Sequence, residues 1–275
     1  VKRKSTRATA IVLLSDWHIG EKVDLEQSNG LNEYSPKIAE RRVKRVFQKI
    51  PEYLDRYCPM YKVLYQAVIG DIMTGFIHEE LRRTNHLSPV EEVLFGKDLL
   101  ASGIDWLLKH GVKSIVIPTA HGNHGRITEK SQFKDSYKVS YEWMMYQDLA
   151  RVYRNDPRVN WVIAKGYHNH VSIYDRLCRF HHGDAHKYQG GVGGLTVPVK
   201  RDIGRWNKSP LKAECDFFGH WHTTHFDKSF ISNGSMIGFG EYSVRIKAEY
   251  EPPSQQFVVF SKNRGRHLVT EIFAD

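Results

Sequence analysis

Ala8-Thr9-Ala10-Ile11-Val12-Leu13-Leu14 is an apolar, β-branched run that ends abruptly at Ser15-Asp16-Trp17-His18. It lacks the polar–apolar alternation of a half-exposed strand, so it predicts a strand buried on both faces, and such strands belong to parallel sheets covered by helices. Asp16 and His18, two residues apart in an extended chain, project to one side. The stretch therefore predicts an α/β fold with its chemistry at the carboxyl end of a strand, where open α/β sheets place their sites.

The chain downstream repeats the pattern. Ser35-Pro36 reads as a helix cap with proline at the first helical position, followed by Val43, Val46, Phe47, Ile50 and Leu54 at helical spacing. Arg41, Arg42, Lys44, Arg45 and Lys49 are expected on that helix's solvated faces. A second strand over 63–69 ends at Gly70-Asp71. Ser88-Pro89 caps a second helix with Val93, Leu94, Leu100, Ile104, Leu107 and Leu108 on its apolar side and Gly111 as its stop. A third strand at 115–117 leads into His121-Gly122-Asn123-His124-Gly125-Arg126. Residues 21–34 and 73–87 read as loops, the second carrying His78, Arg82, Arg83 and His86 in a position to form a lid. Strand, helix, strand, helix, strand predicts a parallel sheet with covering helices.

Residues 135–153 read as one helix, broken by Asn155-Asp156-Pro157. Beyond it, short β-type runs at 159–164, 170–174 and 177–181, the last two joined through Asp175-Arg176, predict an antiparallel part. Residues 183–194 form a glycine-rich loop without the Gly-Lys-Ser/Thr of a phosphate-binding loop. A short helix is expected at 195–206, and a strand at 216–218 empties into Gly219-His220-Trp221-His222. Further β-type runs lie at 230–232, 236–239, 257–260 and 267–272. There is no internal repeat, and Glu251-Pro252-Pro253 reads as a turn and not a linker, so one domain over 1–275 is expected.

Apolar residues make up 41% and charged residues 26% of 275, ordinary values for a folded soluble chain. No run approaches the ~18 apolar residues of a membrane span, and the basic start followed by so short an apolar run is a poor secretion signal. Cys58, Cys178 and Cys215 have neither disulfide nor metal spacing, so small buried hydrophobes in a reducing, cytoplasmic compartment are expected. Forty Lys and Arg against 31 Asp and Glu give +9, which favours a polyanionic partner such as nucleic acid; the plain alternative is a basic surface.

With His182-Gly183-Asp184 after the run at 177–181, five strand ends carry acids, an amide and imidazoles. Carboxylate and amide oxygens with neutral imidazoles suit Mn²⁺, Fe²⁺, Zn²⁺ or Ni²⁺ better than Ca²⁺ or a thiolate-bound ion. Seven candidate ligands are too many for one ion, and two ions about 3.5–4 Å apart can hold a phosphate and activate a water. Phosphoester hydrolysis is the predicted reaction.

Asp16-x-His18, Gly70-Asp71, Gly122-Asn123-His124, His182-Gly183 and Gly219-His220-x-His222, in this order, resemble the calcineurin-like metallophosphoesterases. The resemblance implies a four-layer sandwich of two mixed β-sheets flanked by helices. It further implies a first metal on Asp16, His18 and His222, a second on Asn123, His182 and His220, Asp71 between them, and His124 over the phosphate as the catalytic histidine. Mn²⁺ is the first choice of metal. The acid that often follows that histidine is Gly125 here, which lowers the expected proton affinity of His124, and Arg126 is expected either to reach phosphate as a planar fork or to form a surface ion pair. His186 and Lys187 are further candidate substrate contacts; His181 is the rival of His182 as a ligand, which the His-Gly form favours. Similarity to phage and prophage phosphoesterases related to the Mre11/SbcD DNA exonucleases, with the charge, makes a DNA nuclease acting on single strands or ends, phage-encoded, the first expectation. A phosphatase or phosphodiesterase for nucleotides or nucleic-acid ends, and a non-catalytic metal-binding scaffold, are the alternatives.

Overall fold

The computed structural model describes residues 7–187 and 194–275. One sheet has the order β11-β10-β1-β2-β3-β4, built from β1 (Ala8–Leu14), β2 (Leu64–Val68), β3 (Ile115–Thr119), β4 (Val159–Ile163), β10 (Ser254–Ser261) and β11 (Gly265–Phe273). Its members β1 to β4 run parallel, and β10 and β11 add an antiparallel edge. The other sheet, β5-β6-β7-β9-β8, comprises β5 (Asn169–Ile173), β6 (Arg176–Phe180), β7 (Cys215–Phe218), β8 (His225–Asp227) and β9 (Phe230–Ser232). There β6, β7 and β9 are parallel and the two outer strands antiparallel.

Period-two alternation assembles the layers. Ala10, Val12 and Leu14 of β1 face helices α1 (Pro36–Tyr57), α3 (Pro89–Lys109) and α4 (Tyr141–Val152), while Ile11 and Leu13 pack with Phe180, Phe217, Ile231 and Phe260 between the sheets. The outer face of the second sheet is covered by α5 (Thr196–Trp206), with Val199 and Ile203 on Phe218 and Phe230. The result is four layers: helices, mixed sheet, mixed sheet, helix. Burial at ~25 cal/mol per Å² of apolar surface makes these three cores the main stabilising contribution.

The predicted caps form: Ser35 accepts from Ile38 N, and Ser88 with Glu91 makes a reciprocal capping box. Several expectations fail for definable reasons. Arg42 is buried, not solvated; its guanidinium donates to Met236 O, Ile237 O and Asn32 Oδ1 and so ties α1 to the loop after β9. Leu94 is 57% exposed because the apolar side of α3 is narrower than its leucine count implies. Asp135, at φ +53°, opens a 3₁₀ turn over Ser136–Val139, and α4 starts only after its own cap, Ser140. Residues 159–164 continue the first, parallel sheet, and only β5 and β6 form the hairpin. The run at 236–239 is buried loop, and the short elements α2 (Glu79–Thr84), β8 and α6 (Glu241–Ile246) carry too little periodicity to be read. All three cysteines are buried and free. Most of the glycine-rich loop, 188–193, lies outside the described residues. Among those described, no helix is long and apolar enough to cross a membrane.

Candidate metal centre

The carboxyl ends of five parallel strands meet at one edge of the sandwich. Asp16 and His18 follow β1, Asp71 follows β2, Asn123 and His124 follow β3, His182 follows β6, and His220 with His222 follows β7. The loops are fixed to one another: Trp17 N and His18 N donate to Asp71 O, and His220 N lies 3.0 Å from each oxygen of Asp16. Gly219 permits the last contact, because a Cβ there would stand 2.3 Å from Asp16 Oδ2. Asp16, His18, Asp71, His220 and His222 all take positive φ, between 46° and 71°, and account for five of the nine such non-glycine residues described. Backbone in this region costs on the order of 1–3 kcal/mol per residue and persists where the surroundings enforce it, commonly at sites.

Three overlapping sets bring one ligand atom per residue within 4.8 Å of each other: Asp16, His18 and His222; Asp71, His182 and His220; and, joining them, His18, Asp71 and His124. His18 Nε2 is 3.2 Å from His222 Nε2, which is 3.5 Å from Asp16 Oδ1. His182 Nε2 is 2.9 Å from Asp71 Oδ2 and 3.1 Å from Asn123 Oδ1, and its Nδ1 lies 2.9 Å from Ile69 O. That carbonyl takes the Nδ1 proton and aims Nε2 inward, the usual outer support of a ligating imidazole.

Asp16 and Asp71 are buried, at 0% and 1% exposure, and no Lys or Arg lies within ion-pair distance of either among the described residues. The histidines compensate instead. Burial opposes protonation of His182 and His222, but Asp71 and Asp16 override it and raise both. Asp71 is likewise held well below the usual carboxylate range, burial being outweighed by His182 and His124. Burial with neighbouring imidazoles pushes His18 down, and His220 down to about 4. The mixed carboxylate, amide and imidazole donors fit divalent transition metals.

His124 has its imidazole held by a main-chain carbonyl and not by a carboxylate. Its main-chain N–H donates to Asp71 Oδ1 at 2.9 Å, and its Nδ1 lies 2.7 Å from Thr74 O, leaving Nε2 for a reacting group. Burial lowers its pKa, with Asp71 opposing. Across the same Thr74–Gly75 peptide, Gly75 N–H donates to Glu92 Oε2 at 2.8 Å. Gly125 is small because Glu142 fills that space: a Cβ would stand 2.7 Å from Glu142 Cγ. Glu142 accepts N–H from Ile72 and from Gly122, each at 2.6 Å, and so clasps the loops of Asp71 and Asn123 from beneath. Both glutamates are fully buried, and burial pushes each up to about 7. Sequence reading missed them. Their signal was an acid inside an apolar helical stripe, Glu142 with Met145, Tyr146 and Leu149, and Glu92 with Leu99 and Leu100.

The expected substrate contacts are placed differently. Among the described residues Arg126 forms no ion pair; it donates to Asn123 O, Thr128 O and Glu129 O and braces its own loop. His186 is buried, with Nδ1 3.1 Å from Asp202 Oδ2 and its ring against Trp206 and Phe218, so it is not open to a substrate. Lys187 is exposed. His181 is buried beside Asp216 in that same outer layer. His78, just before α2, is exposed with its ring 6.2 Å from His124.

No protein-family model and no curated protein matches the chain. Solved structures do. Vps29 of Chaetomium thermophilum is 9% identical with a TM-score of 0.39, covering 96% of each chain. Zn²⁺-complexed Vps29 of Entamoeba histolytica is 12% identical at 0.33, over 62% of this chain and 89% of that one. Thermus thermophilus sulfate thiohydrolase SoxB, in complex with glycerol, is 6% identical at 0.40, over 97% of this chain and 57% of that one. Likenesses this distant assign no function, and the architecture rests on the strand order and layers above.

Proposed function

We propose that this chain is a metal-dependent phosphoester hydrolase of the calcineurin-like metallophosphoesterase type. Asp16, His18 and His222 would hold one divalent ion and Asn123, His182 and His220 a second, with Asp71 as a further ligand of the centre. The observation that carries this reading is the position of Asp71, which belongs to two of the three ligand sets and has no Lys or Arg partner among the described residues. When bound, such ions supply charge neutralisation to a phosphate and acidity to a water. Mn²⁺ is the first expectation, with Fe, Zn or Ni fitting the same donors.

The protein's own part is positional. Ile69 O holds His182 at Nδ1 and so aims its Nε2 at Asp71 and Asn123, and Asp16 fixes the main chain of His220. Thr74 O holds the Nδ1 proton of His124, so Nε2 meets the phosphate or its leaving oxygen. The proposed substrate is a DNA phosphodiester, favoured by the +9 charge, with nucleotides or nucleic-acid ends as the second reading.

The test is hydrolysis of labelled DNA, a nucleotide and an aryl phosphodiester by Mn²⁺-loaded protein, with metal content measured in parallel. Two ions per chain, and hydrolysis lost in Asp71→Asn, are expected. Turnover that survives this change overturns the reading. A polymer substrate is further expected to show a steep loss of affinity with salt, and a small one a flat response.

A further inference from the structure

Residues 126–140 form an arch rooted in the candidate metal centre. One foot is Arg126, whose guanidinium donates to Asn123 O at 2.7 Å; the other is Ser136, whose Oγ lies 3.0 Å from His121 Nε2. Ile127 N donates to Val139 O, closing the base. Both feet thus rest on the segment that supplies Asn123 and His124. At the crown, Phe133 is 99% exposed, the most exposed of the large apolar side chains described. A bare phenyl ring in water is unfavourable by ~2 kcal/mol relative to burial, and nothing within the described chain covers this one.

Its neighbours carry a basic excess, with Arg126, Lys130, Lys134 and Lys138 against Glu129 and Asp135. Lys130 and Lys134 flank Phe133 in sequence, are exposed, and have no carboxylate within ion-pair distance among the described residues. Behind them Tyr137 lies against Trp143, with the Lys165 ammonium 5.6 Å from its ring centre. Lys138 is already engaged by Asp135 at 2.8 Å. An exposed aromatic face between unpaired ammonium groups is the chemistry that binds a nucleic-acid single strand, because bases stack on the ring while phosphates meet the cations. A protein partner would match the apolar ring but leaves the two lysines without a counterpart.

Resting on the phosphoesterase reading of the centre, we infer that the 126–140 arch is a single-strand platform, with Phe133 stacking a base and Lys130 and Lys134 contacting flanking phosphates of the strand presented to that centre. The arch would make the enzyme prefer unpaired polymer over duplex and over small phosphodiesters.

The experiment uses the full chain with Phe133→Ala and with Lys130→Ala/Lys134→Ala. Binding of fluorescent dT15, rU15 and a blunt duplex is read by anisotropy in metal-free protein, and Mn²⁺-dependent turnover with dT15 and with bis-p-nitrophenyl phosphate. Phe133→Ala is expected to weaken the favoured strand on the order of 10-fold. The lysine pair should flatten the salt dependence of log K by about 1.4. Aryl diester turnover should stay unchanged in both, and the dT15 and rU15 arms decide between DNA and RNA. The inference is overturned if wild-type protein binds neither strand, if Phe133→Ala binds as wild type, or if strand and aryl diester turnover fall together. Absence of all hydrolysis by wild type would sink the phosphoesterase reading and leave the binding arm to judge the platform.

Discussion

His181 and His182 are consecutive, yet they belong to two histidine-rich regions of opposite character. Leaving β6 in extended register, they project to opposite sides. His182 enters the candidate metal centre, while His181 enters the layer under α5 with His168, His186, Trp206 and Phe218 at ring separations of 4.4 to 5.5 Å. The outer region has as many imidazoles as many metal sites, but its acid, Asp216, is already neutralised by the buried Arg179, bonded at 2.5 and 3.0 Å. None of its histidines has a left-handed backbone, and no set of ligand atoms converges there among the described residues. The centre differs in its unpaired acids and in its strained backbone. Carboxylate charge left without arginine, more than histidine density, marks the place for a cation.

The sharpest way to test that distinction is to remove one acid from each side. Asp71→Asn is expected to lower phosphoester hydrolysis at least ~10³-fold, equivalent to ~4 kcal/mol of transition-state stabilisation. It should also abolish stabilisation by added Mn²⁺, while costing less metal-free stability than loss of Asp216, since the amide retains the acceptor for His124 N–H and His182 can shed its proton. Parallel turnover and urea-melt measurements check both. Asp216→Asn should behave oppositely: it strands Arg179, which is 1% exposed, and is expected to cost ~3–5 kcal/mol in a urea melt with hydrolysis per folded molecule retained. If Asp71→Asn proves the more destabilising of the two without metal, the contrast is wrong.

An intermediate effect is expected beneath the centre. Glu142→Ala leaves the N–H groups of Ile72 and Gly122 without their acceptor, at ~1–3 kcal/mol, and lets the two metal loops drift. Weakening of Mn²⁺ binding by about 10–100-fold, measured by calorimetry, is expected, with Glu142→Gln retaining much of the affinity because its amide oxygen still accepts one of these bonds.

How far the sequence foretold this arrangement follows the same physics. The buried runs ending in acid, amide or imidazole were legible because strand burial and strand ends leave local marks: Ala8–Leu14, Pro36 and Ser88 are placed as read. The convergence of Asp16, Asp71, Asn123, His182, His220 and His222 was legible through the repeated motif at each end. Arg42 and Leu94 were not, because exposure depends on what another element brings against a helix, and neither charge nor hydropathy encodes that. The burial of His186 and the loop-bracing bonds of Arg126 were not legible for a related reason: proximity to a motif in sequence does not say which way a side chain turns. Glu92 and Glu142 lay open to reading as acids inside apolar stripes, but an isolated glutamate in a helix is usually solvated, and only the main-chain N–H groups facing them explain their burial.

The smallest effect concerns the outer region's response to acid. His168 and His186 are pushed down to about 3 and about 4, burial being the main cause in each and His181 adding to it, with Asp202 opposing for His186. In the unfolded chain both return to the ordinary imidazole value near 6.5. As pH falls through that value the unfolded state takes up protons before the folded state can, so stability present above pH ~6.5 is lost progressively down toward pH ~4. Each group contributes a slope of about 1.4 kcal/mol per pH unit at most, less for the partly exposed His168, whose charged form is better solvated. His186→Phe keeps a ring against Trp206 and Phe218 and removes one titrating group, so its urea midpoint should fall less steeply than wild type between pH 6 and pH 4.5, by about one proton. Mn²⁺ should leave this difference between the two proteins unchanged, because His186 faces Asp202 and the aromatic layer and not the cation site. A difference that vanishes on adding Mn²⁺ would mean that the two regions titrate as one, and that the separation imposed by the two consecutive histidines after β6 is not a functional one.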